Sequence, residues 1–400
     1  MVKQFSPWRV NFYVPLLLLI SLLGVFPLDV ILPSVPSLAR EFNVDSKYIA
    51  YSISLFAIGV ALSQTIIGPL SDRMGRKRLL IAGLVVSVIG ALGCILTTGY
   101  EGFMVFRLLQ AVGCGCFVLS QALVQDMYSG HQRNAMRILM TSISGLFISL
   151  SPLVGSVLQQ YFGWEGSFKV FILLAVIVLI LCALLLKDEP KPNGGLGMLS
   201  TYRVLLKDRV FIVSSSFSCL AFACHFSFVV VSPMLLMGQL GLTAFAFAMV
   251  FLGYGLAYMI GGFIASRLNR RITLQAQIGW GFALIGLAGS VLCLVVLVNA
   301  LSAVSLLLPL TLCSIGTTIV RPAATSHALG HHSERAGAAA SLNNTLLFAF
   351  GGGISMLLAS IENSLPLSLA LGFIASSLVG CGLLVYLGGL ERNAPFLKVR

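Results

Sequence analysis

The stretch GPLSDRMGRKR, from Gly68 to Arg78, holds five charged side chains in eleven residues. Charge is scarce elsewhere, because Asp, Glu, Lys and Arg make up only 10% of the 400 residues. Uncharged runs lie on either side of it, at 48–71 and 79–100. A helix of about 20 apolar residues crosses the hydrocarbon core of a bilayer. The sequence therefore predicts two membrane-spanning helices joined by a short, strongly charged loop.

The composition extends this prediction to the whole chain. The protein is 58% hydrophobic, with a mean hydropathy of +0.99, which lies outside the range of soluble domains. Two of the uncharged runs are long enough for two helices each, with turns expected near 238–243 and near 299. The runs are 10–39, 48–71, 79–100, 102–125, 138–164, 170–186, 210–266, 272–320, 336–361 and 363–390. They predict an all-α membrane protein with twelve transmembrane helices.

The positive charge has a topological explanation. The formal net charge is +12. With the N-terminus placed in the cytoplasm, about twenty of the Lys and Arg residues fall in the cytoplasmic segments between the spans. We therefore expect both termini in the cytoplasm and no nucleic-acid partner. The first run is too long, and too well continued by further spans, for a cleaved signal peptide. No CxxC or other metal-ligand spacing occurs, so we expect no metal.

The chain divides into two similar halves. A Pro- and Gly-rich polar segment separates six predicted spans from six, which predicts an N-terminal bundle at 1–186, a cytoplasmic linker at 187–207 and a C-terminal bundle with a short cytoplasmic tail at 208–400. The stretch GFIASRLNRRI, from Gly262, repeats the charged stretch at an offset of 194 and keeps its basic residues. We expect two pseudo-symmetric six-helix bundles with a substrate site between them.

The charged loop resembles the signature of the major facilitator superfamily. The matching residues are Gly68, Asp72, Arg73, Gly75, Arg76 and Lys77. The resemblance implies the major facilitator fold and a conformational latch, in which Asp72 faces the start of the eleventh span and Arg76 pairs with Asp126. It implies that this latch holds an outward-open state and breaks when the halves tilt. Plain positive-inside anchoring explains the basic residues, but not Asp72 or the glycines.

Two further motifs resemble narrower groups of the superfamily. The stretch RLLQAVGCG, from Arg107, is similar to its second signature, and Gly145, Pro152 and Gly155 match the fifth-span motif of exporters that exchange solute for protons. The stretches LDVILPSVP and FGWEGSF resemble the bicyclomycin-resistance (Bcr/CflA) branch of drug:proton antiporters. The resemblance implies a monomeric exporter in the bacterial inner membrane, driven by the proton gradient without a cofactor.

Charged side chains inside the spans are the candidate coupling residues. Each costs about 2.5 to 3.5 kcal/mol on insertion scales, so each needs a reason. Asp29 is the only acid well inside a span, and Arg107 lies at a similar depth. We expect them to pair, with protonation of Asp29 releasing it from Arg107. A static bridge between the two helices is the alternative.

Candidate substrate contacts are Tyr51, Arg107, His225, Tyr254, Tyr258 and Arg321. Arg321 either reaches the cytoplasmic interface or faces the cavity. His225 is either a packed neutral histidine or a proton carrier or ligand. The aromatic residues either line an amphipathic cavity or pack against lipid and neighbouring helices. With two arginines and one histidine against one acid, we expect the cavity to be cationic or neutral. Such a cavity suits an anionic or zwitterionic solute at least as well as a cationic drug.

The sequence thus predicts proton-coupled export of small molecules, either drugs or a siderophore or other metabolite. No phosphate-binding Gly-Lys-Ser/Thr loop is present, which argues against ATP drive. No cluster of nucleophile, base and orienting group appears, so we expect no enzymatic activity. Two alternatives remain: a proton-coupled importer of organic anions, and a non-transporting membrane sensor with the same fold.

Overall fold

The chain is almost entirely helical. A computed structural model describes residues 7–128, 130–186, 198–330, 336–361 and 364–393, and these ranges contain fifteen α-helices and no β-strand. They are α1 (Pro7–Asp29), α2 (Val35–Glu41), α3 (Ser46–Met74), α4 (Arg76–Leu96), α5 (Tyr100–Cys114), α6 (Leu119–Met127), α7 (Gly130–Phe162), α8 (Glu165–Leu185), α9 (Met198–Lys207), α10 (Arg209–Ser232), α11 (Ala244–Leu268), α12 (Leu274–Leu297), α13 (Ala303–Gly330), α14 (Ala336–Ala359) and α15 (Leu365–Asn393). Leu32–Ser34 and Gly115–Val118 form 3-10 helices, and Pro233–Gln239 forms a π-helix.

Most of these helices are long enough to cross a membrane. Within the described ranges, eleven segments have the length and hydropathy of a span, and α7, with 33 residues, is long enough to be the twelfth. The first span combines α1 and α2, the fourth combines α5 and α6, and the seventh continues from α10 into the π-helix. The predicted turns at 238–243 and near Asn299 fall between helices. The all-α prediction of twelve spans is confirmed.

The first span is not one continuous helix, although only Asp29 interrupts its apolar run. It stops at Asp29, passes through the 3-10 turn Leu32–Ser34 and restarts as α2. Pro33 lies in the first turn of the 3-10 helix, and Pro36 lies in the first turn of α2. Proline lacks an N–H and is favoured at such helix starts, where no intrahelical donor is needed. The bend places Asp29 at a helix end in the interior of the protein.

The two halves of the chain meet along two helix pairs. In the first half α4 packs on α5 and α8, and in the second half α12 packs on α13 and α15. Between the halves, α3 contacts α14 and α7 contacts α11. The repeat offset superposes α3 on α11 and α7 on α14, so the two pairs exchange under the pseudo-symmetry. We call the pairs together the seam.

Small residues line the seam. In the α3/α14 pair, the Ser54 and Ser355 hydroxyl oxygens lie 2.8 Å apart, and those of Thr65 and Thr345 also lie 2.8 Å apart. A side chain on Gly352 would meet the Ser54 carbonyl oxygen, 2.9 Å from the position of a β-carbon. Glycine and hydroxyl residues allow the helix backbones to approach closely where lipid supplies no hydrophobic drive. The seam therefore joins the halves by close packing and hydroxyl contacts.

The seam is closed towards both ends of the bundle. At the end that carries Asn43, α2 contacts the π-helix of the second half. At the end that carries Gly75, Gly68 of α3 faces the Ser341 hydroxyl of α14, at 3.8 Å from the position of a β-carbon. The space between the halves is thus enclosed along this line of contact.

Part of the predicted linker is helical. Residues 187–197 lie outside the described ranges, and the rest forms α9, which packs against α10 and α14. Tyr202 of α9 is buried and its hydroxyl lies 3.2 Å from the hydroxyl of Ser341. Tyr202 and Leu205 give α9 an apolar side to bury against these helices.

Candidate functional site

Asp29 lies at a cavity between the two halves. It is the last residue of α1 and is 9% exposed. The cavity is small in this conformation and draws residues from α1, α7, α10 and α11. Its lining residues are Asp29, Ile148, His225, Val229, Phe251, Tyr254, Gly255 and Tyr258. The single acid predicted for the interior therefore belongs to an enclosed site at the bundle interface.

The second half contributes a connected polar group to this cavity. His225 Nδ1 lies 2.6 Å from the Tyr254 hydroxyl, and the two rings are stacked at 16°. Arg321 Nη1 donates to the Tyr258 hydroxyl at 3.3 Å, and its guanidinium lies over the Phe222 ring at 5.0 Å. Arg321 therefore contacts a residue of the cavity wall. Four of the predicted contact residues, His225, Tyr254, Tyr258 and Arg321, come together here.

Arg107 does not pair with Asp29, which corrects the expected ion pair. It is 1% exposed, and it donates to the Pro27 carbonyl at 2.5 Å and to Gln110 Oε1 at 2.7 Å. Its guanidinium lies over the Phe56 ring at 4.2 Å. Among the described residues no hydrogen bond or ion pair joins it to Asp29. The bend of the first span explains the difference, since the Pro27 carbonyl faces Arg107 whereas Asp29 lines the cavity between the halves.

Tyr51 also lies apart from the cavity. Its ring packs edge-on against Tyr48 at 5.8 Å, close to the Asn43 end of α3. Its predicted contact with substrate is not supported in this conformation, because Tyr51 is not among the lining residues.

The charged loop is organised around Gly75. This residue joins α3 to α4 with a φ of 92°, in a region that favours glycine. Arg76 and Asp126 form an ion pair with Nε and Oδ2 2.5 Å apart. Lys77 donates to the Ala183 carbonyl of α8 at 2.7 Å, where a cation complements the helix C-terminus. The side chains of Asp72 and Arg73 lie outside what the structure describes.

The three residues of the fifth-span motif differ in their surroundings. A β-carbon on Gly155 would overlap the Val30 carbonyl oxygen and would lie 3.1 Å from Pro33 Cδ. Gly155 thus packs directly against the bend of the first span. Pro152 is buried within α7. No atom lies within 4 Å of a β-carbon built on Gly145, so this glycine is not required by packing.

Sequence reasoning missed four lining residues, Ile148, Val229, Phe251 and Gly255. Val229 was available from the repeat, because it lies 200 positions after Asp29, at the offset that also relates Pro33 to Pro233. Gly255 could not be predicted from the repeat, because its role depends on Ser149 of the other half. The Ser149 side chain occupies the space where a β-carbon of residue 255 would lie. As to metals, the described residues contain no group of three or more potential ligands.

Comparison with known proteins agrees with this architecture. The family model for the Major Facilitator Superfamily matches residues 17–356. The chain is 26% identical to a chloramphenicol resistance protein of Pseudomonas aeruginosa, over 90% of this chain and 86% of that protein. It is 26% identical to multidrug resistance protein MdtL of Citrobacter koseri, over 90% of each chain. It is 24% identical to a bicyclomycin resistance protein homolog of Haemophilus influenzae, over 86% of this chain and 88% of that protein.

The family match covers well over half of the chain, and its helices have the length and composition of membrane spans. Together with the bacterial relatives, this makes the protein an integral protein of the inner membrane that transports a solute and is not an enzyme. The chain belongs to the Major Facilitator Superfamily.

Proposed function

We propose that the protein exports small amphipathic molecules, including drugs, from the cytoplasm in exchange for protons. The observation that carries this proposal is the position of Asp29, a buried acid that lines a cavity between two bundles. The names of the relatives, which refer to resistance to chloramphenicol, to bicyclomycin and to several drugs, support a drug as the exported solute.

Asp29 couples export of the solute to uptake of the proton because its negative charge is unfavourable in an enclosed cavity. An ionised carboxylate without a partner is unfavourable in a low-dielectric interior, whereas a protonated carboxyl is tolerated. Protonation therefore favours the closed conformation, and opening towards the cytoplasm releases the proton. A solute that enters from the cytoplasm occupies the same cavity and travels outwards.

The helices around the cavity set the geometry of this exchange. Arg107 holds the Pro27 carbonyl, and Gly155 packs against Val30, so the bend that carries Asp29 is held from two sides. The Arg76–Asp126 pair ties α4 to α6 at the Gly75 end. This pair belongs to the latch, with Gly68, Asp72, Arg73, Gly75 and Lys77, that holds the outward-open state.

The cavity favours a neutral or zwitterionic solute over a lipophilic dication. Asp29 is its one acid, and Arg321 contacts its wall through Tyr258. Phe251 and the two tyrosines supply apolar surface and hydroxyl groups. A carboxylate-bearing metabolite or siderophore fits the same charge pattern, with Arg321 as its partner.

The test is proton movement in energised inverted membrane vesicles that contain the protein. A pH-sensitive dye reports proton release after addition of chloramphenicol, a lipophilic cation such as ethidium, or a carboxylate-rich siderophore. We expect release with chloramphenicol that Asp29→Asn abolishes while the protein remains folded.

Asp45→Asn is the matched control, because Asp45 is exposed outside the spans, and we expect it to behave as the wild type. Release that persists in Asp29→Asn refutes the assignment of Asp29. Counterflow that runs only inwards for an organic anion identifies an importer instead.

A further inference from the structure

The cavity contains a second titratable group, and it comes from the other half of the protein. His225 lies in the middle of α10, one turn before Val229, and is 7% exposed. It lines the same cavity as Asp29. An acid from the first bundle and a histidine from the second therefore face one enclosed space.

The contacts of the imidazole leave one ring nitrogen for that space. Nδ1 is engaged by the Tyr254 hydroxyl at 2.6 Å, and the Tyr258 ring lies 5.6 Å away, tilted by 50°. Nε2 has no partner among the described residues. With Nδ1–H donating to Tyr254, Nε2 carries the lone pair that accepts a proton.

The charged and titratable groups around His225 act in opposite directions on its protonation. Arg321 of α13, which reaches the site through the Tyr258 hydroxyl, disfavours a second positive charge, as does burial. The phenols of Tyr254 and Tyr258 are neutral. Among the described residues that line the cavity, an ionised Asp29 is the group that favours the imidazolium. Protonation of His225 is therefore tied to loss of the proton from Asp29.

We propose that His225 is a second proton-binding site, which receives the proton from Asp29 while the seam is closed. This inference rests on the proposed function. The described contacts do not join the two groups directly, so a water molecule in the cavity carries the proton. The Asp29 O–H bond breaks as its proton passes to the water, and a proton of the water passes to His225 Nε2, giving a carboxylate and an imidazolium with no change in total charge. The proton thus passes from one bundle to the other and leaves with the second bundle when the halves separate.

Two transport assays in proteoliposomes separate this role from a structural one. Accumulation of chloramphenicol against its gradient needs an imposed pH gradient, whereas counterflow exchange of labelled for unlabelled chloramphenicol needs none. In His225→Gln we expect proton-driven accumulation to fall by about tenfold or more, as for loss of a proton-transfer group, while counterflow persists. In Tyr254→Phe, which keeps the imidazole but removes its Nδ1 partner, we expect a displaced pH profile.

His327→Gln is the control, because His327 contacts Ser214 at 2.8 Å and does not line the cavity. Accumulation in His225→Gln with the wild-type pH profile and the wild-type number of protons per solute overturns the inference and leaves the role of Asp29 standing. Loss of both accumulation and counterflow in His225→Gln, with an unchanged pH profile in Tyr254→Phe, also overturns it. A wild-type protein that shows counterflow but no proton coupling refutes the proposed function and this inference together.

Discussion

Two glycines of the same helix, Gly155 and Gly145, are expected to respond to alanine in opposite ways. A methyl group on Gly155 overlaps the Val30 carbonyl oxygen, which is backbone and cannot move aside as a flexible side chain would. Overpacking of this kind costs typically 1–3 kcal/mol, and the upper value applies here, against about 1 kcal/mol gained from helix propensity. The net loss for Gly155→Ala is about 2 kcal/mol.

Gly145→Ala is the matched control within α7. No atom lies within 4 Å of the added carbon, so only the propensity term remains. We expect a gain of about 0.5–1 kcal/mol. At about 2 °C per kcal/mol for a chain of this size, Tm falls by roughly 4 °C in Gly155→Ala and rises by roughly 1–2 °C in Gly145→Ala.

Thermal unfolding in detergent with a thiol-reactive dye measures both values, since seven of the nine free cysteines are buried and become reactive on unfolding. Transport of chloramphenicol in the same variants shows whether the bend must be held, and we expect it to be impaired only in Gly155→Ala. Equal Tm shifts of the same sign, or a Tm of Gly155→Ala at or above that of the wild type, would refute the argument from close approach.

Three further experiments with substitutions test other contacts. Arg107→Lys removes at least one of two buried hydrogen bonds and should cost about 1–3 kcal/mol, seen as a lower Tm; an unchanged Tm would show that these bonds are not needed. A double-mutant cycle with Thr65→Val and Thr345→Val should give a coupling of about 0.6 kcal/mol across the seam, and a value near zero would contradict their contact. Arg76→Gln should lower Tm little, because partly exposed ion pairs contribute about 0–1 kcal/mol, yet it should reduce transport. Transport restored by the charge swap, Arg76→Asp with Asp126→Arg, would support an ion-pair role, and an inactive swap would contradict it.

The number and type of the spans could be predicted because they depend only on the length of each apolar run along the sequence. A run of about 20 apolar residues must span, and the repeat offset then relates the two halves. An offset of 200, which relates Pro33 to Pro233, also relates Asp29 to Val229, which lines the cavity although it is not among the predicted contact residues. The sequence also indicates that His225 and Arg321 are ionisable residues within or near the spans, but it does not specify their contacts.

The partners of Arg107 and Asp29 could not be predicted in this way. Depth along a helix says how far a residue lies from the membrane surface, but not which neighbour it faces. The neighbour that each side chain faces depends on the bend at Asp29. Pro33 and Pro36 are the sequence signal for that bend. Gly255 depends on a side chain of the other half, so no local pattern reveals it.

The hydroxyl groups of the seam also determine what happens when the halves separate. Ser54, Thr65 and Ser355 each have a carbonyl oxygen of their own helix within hydrogen-bond distance, at 3.4, 3.0 and 2.9 Å respectively. Each of these side chains therefore keeps a hydrogen-bond acceptor after its partner across the seam has moved away. A buried donor left without an acceptor costs about 1–3 kcal/mol, and these three side chains avoid that cost in either position. These three hydroxyl groups can therefore hydrogen-bond across the seam when it is closed and to their own helix when it is open, as an interface that opens and closes in every transport cycle requires.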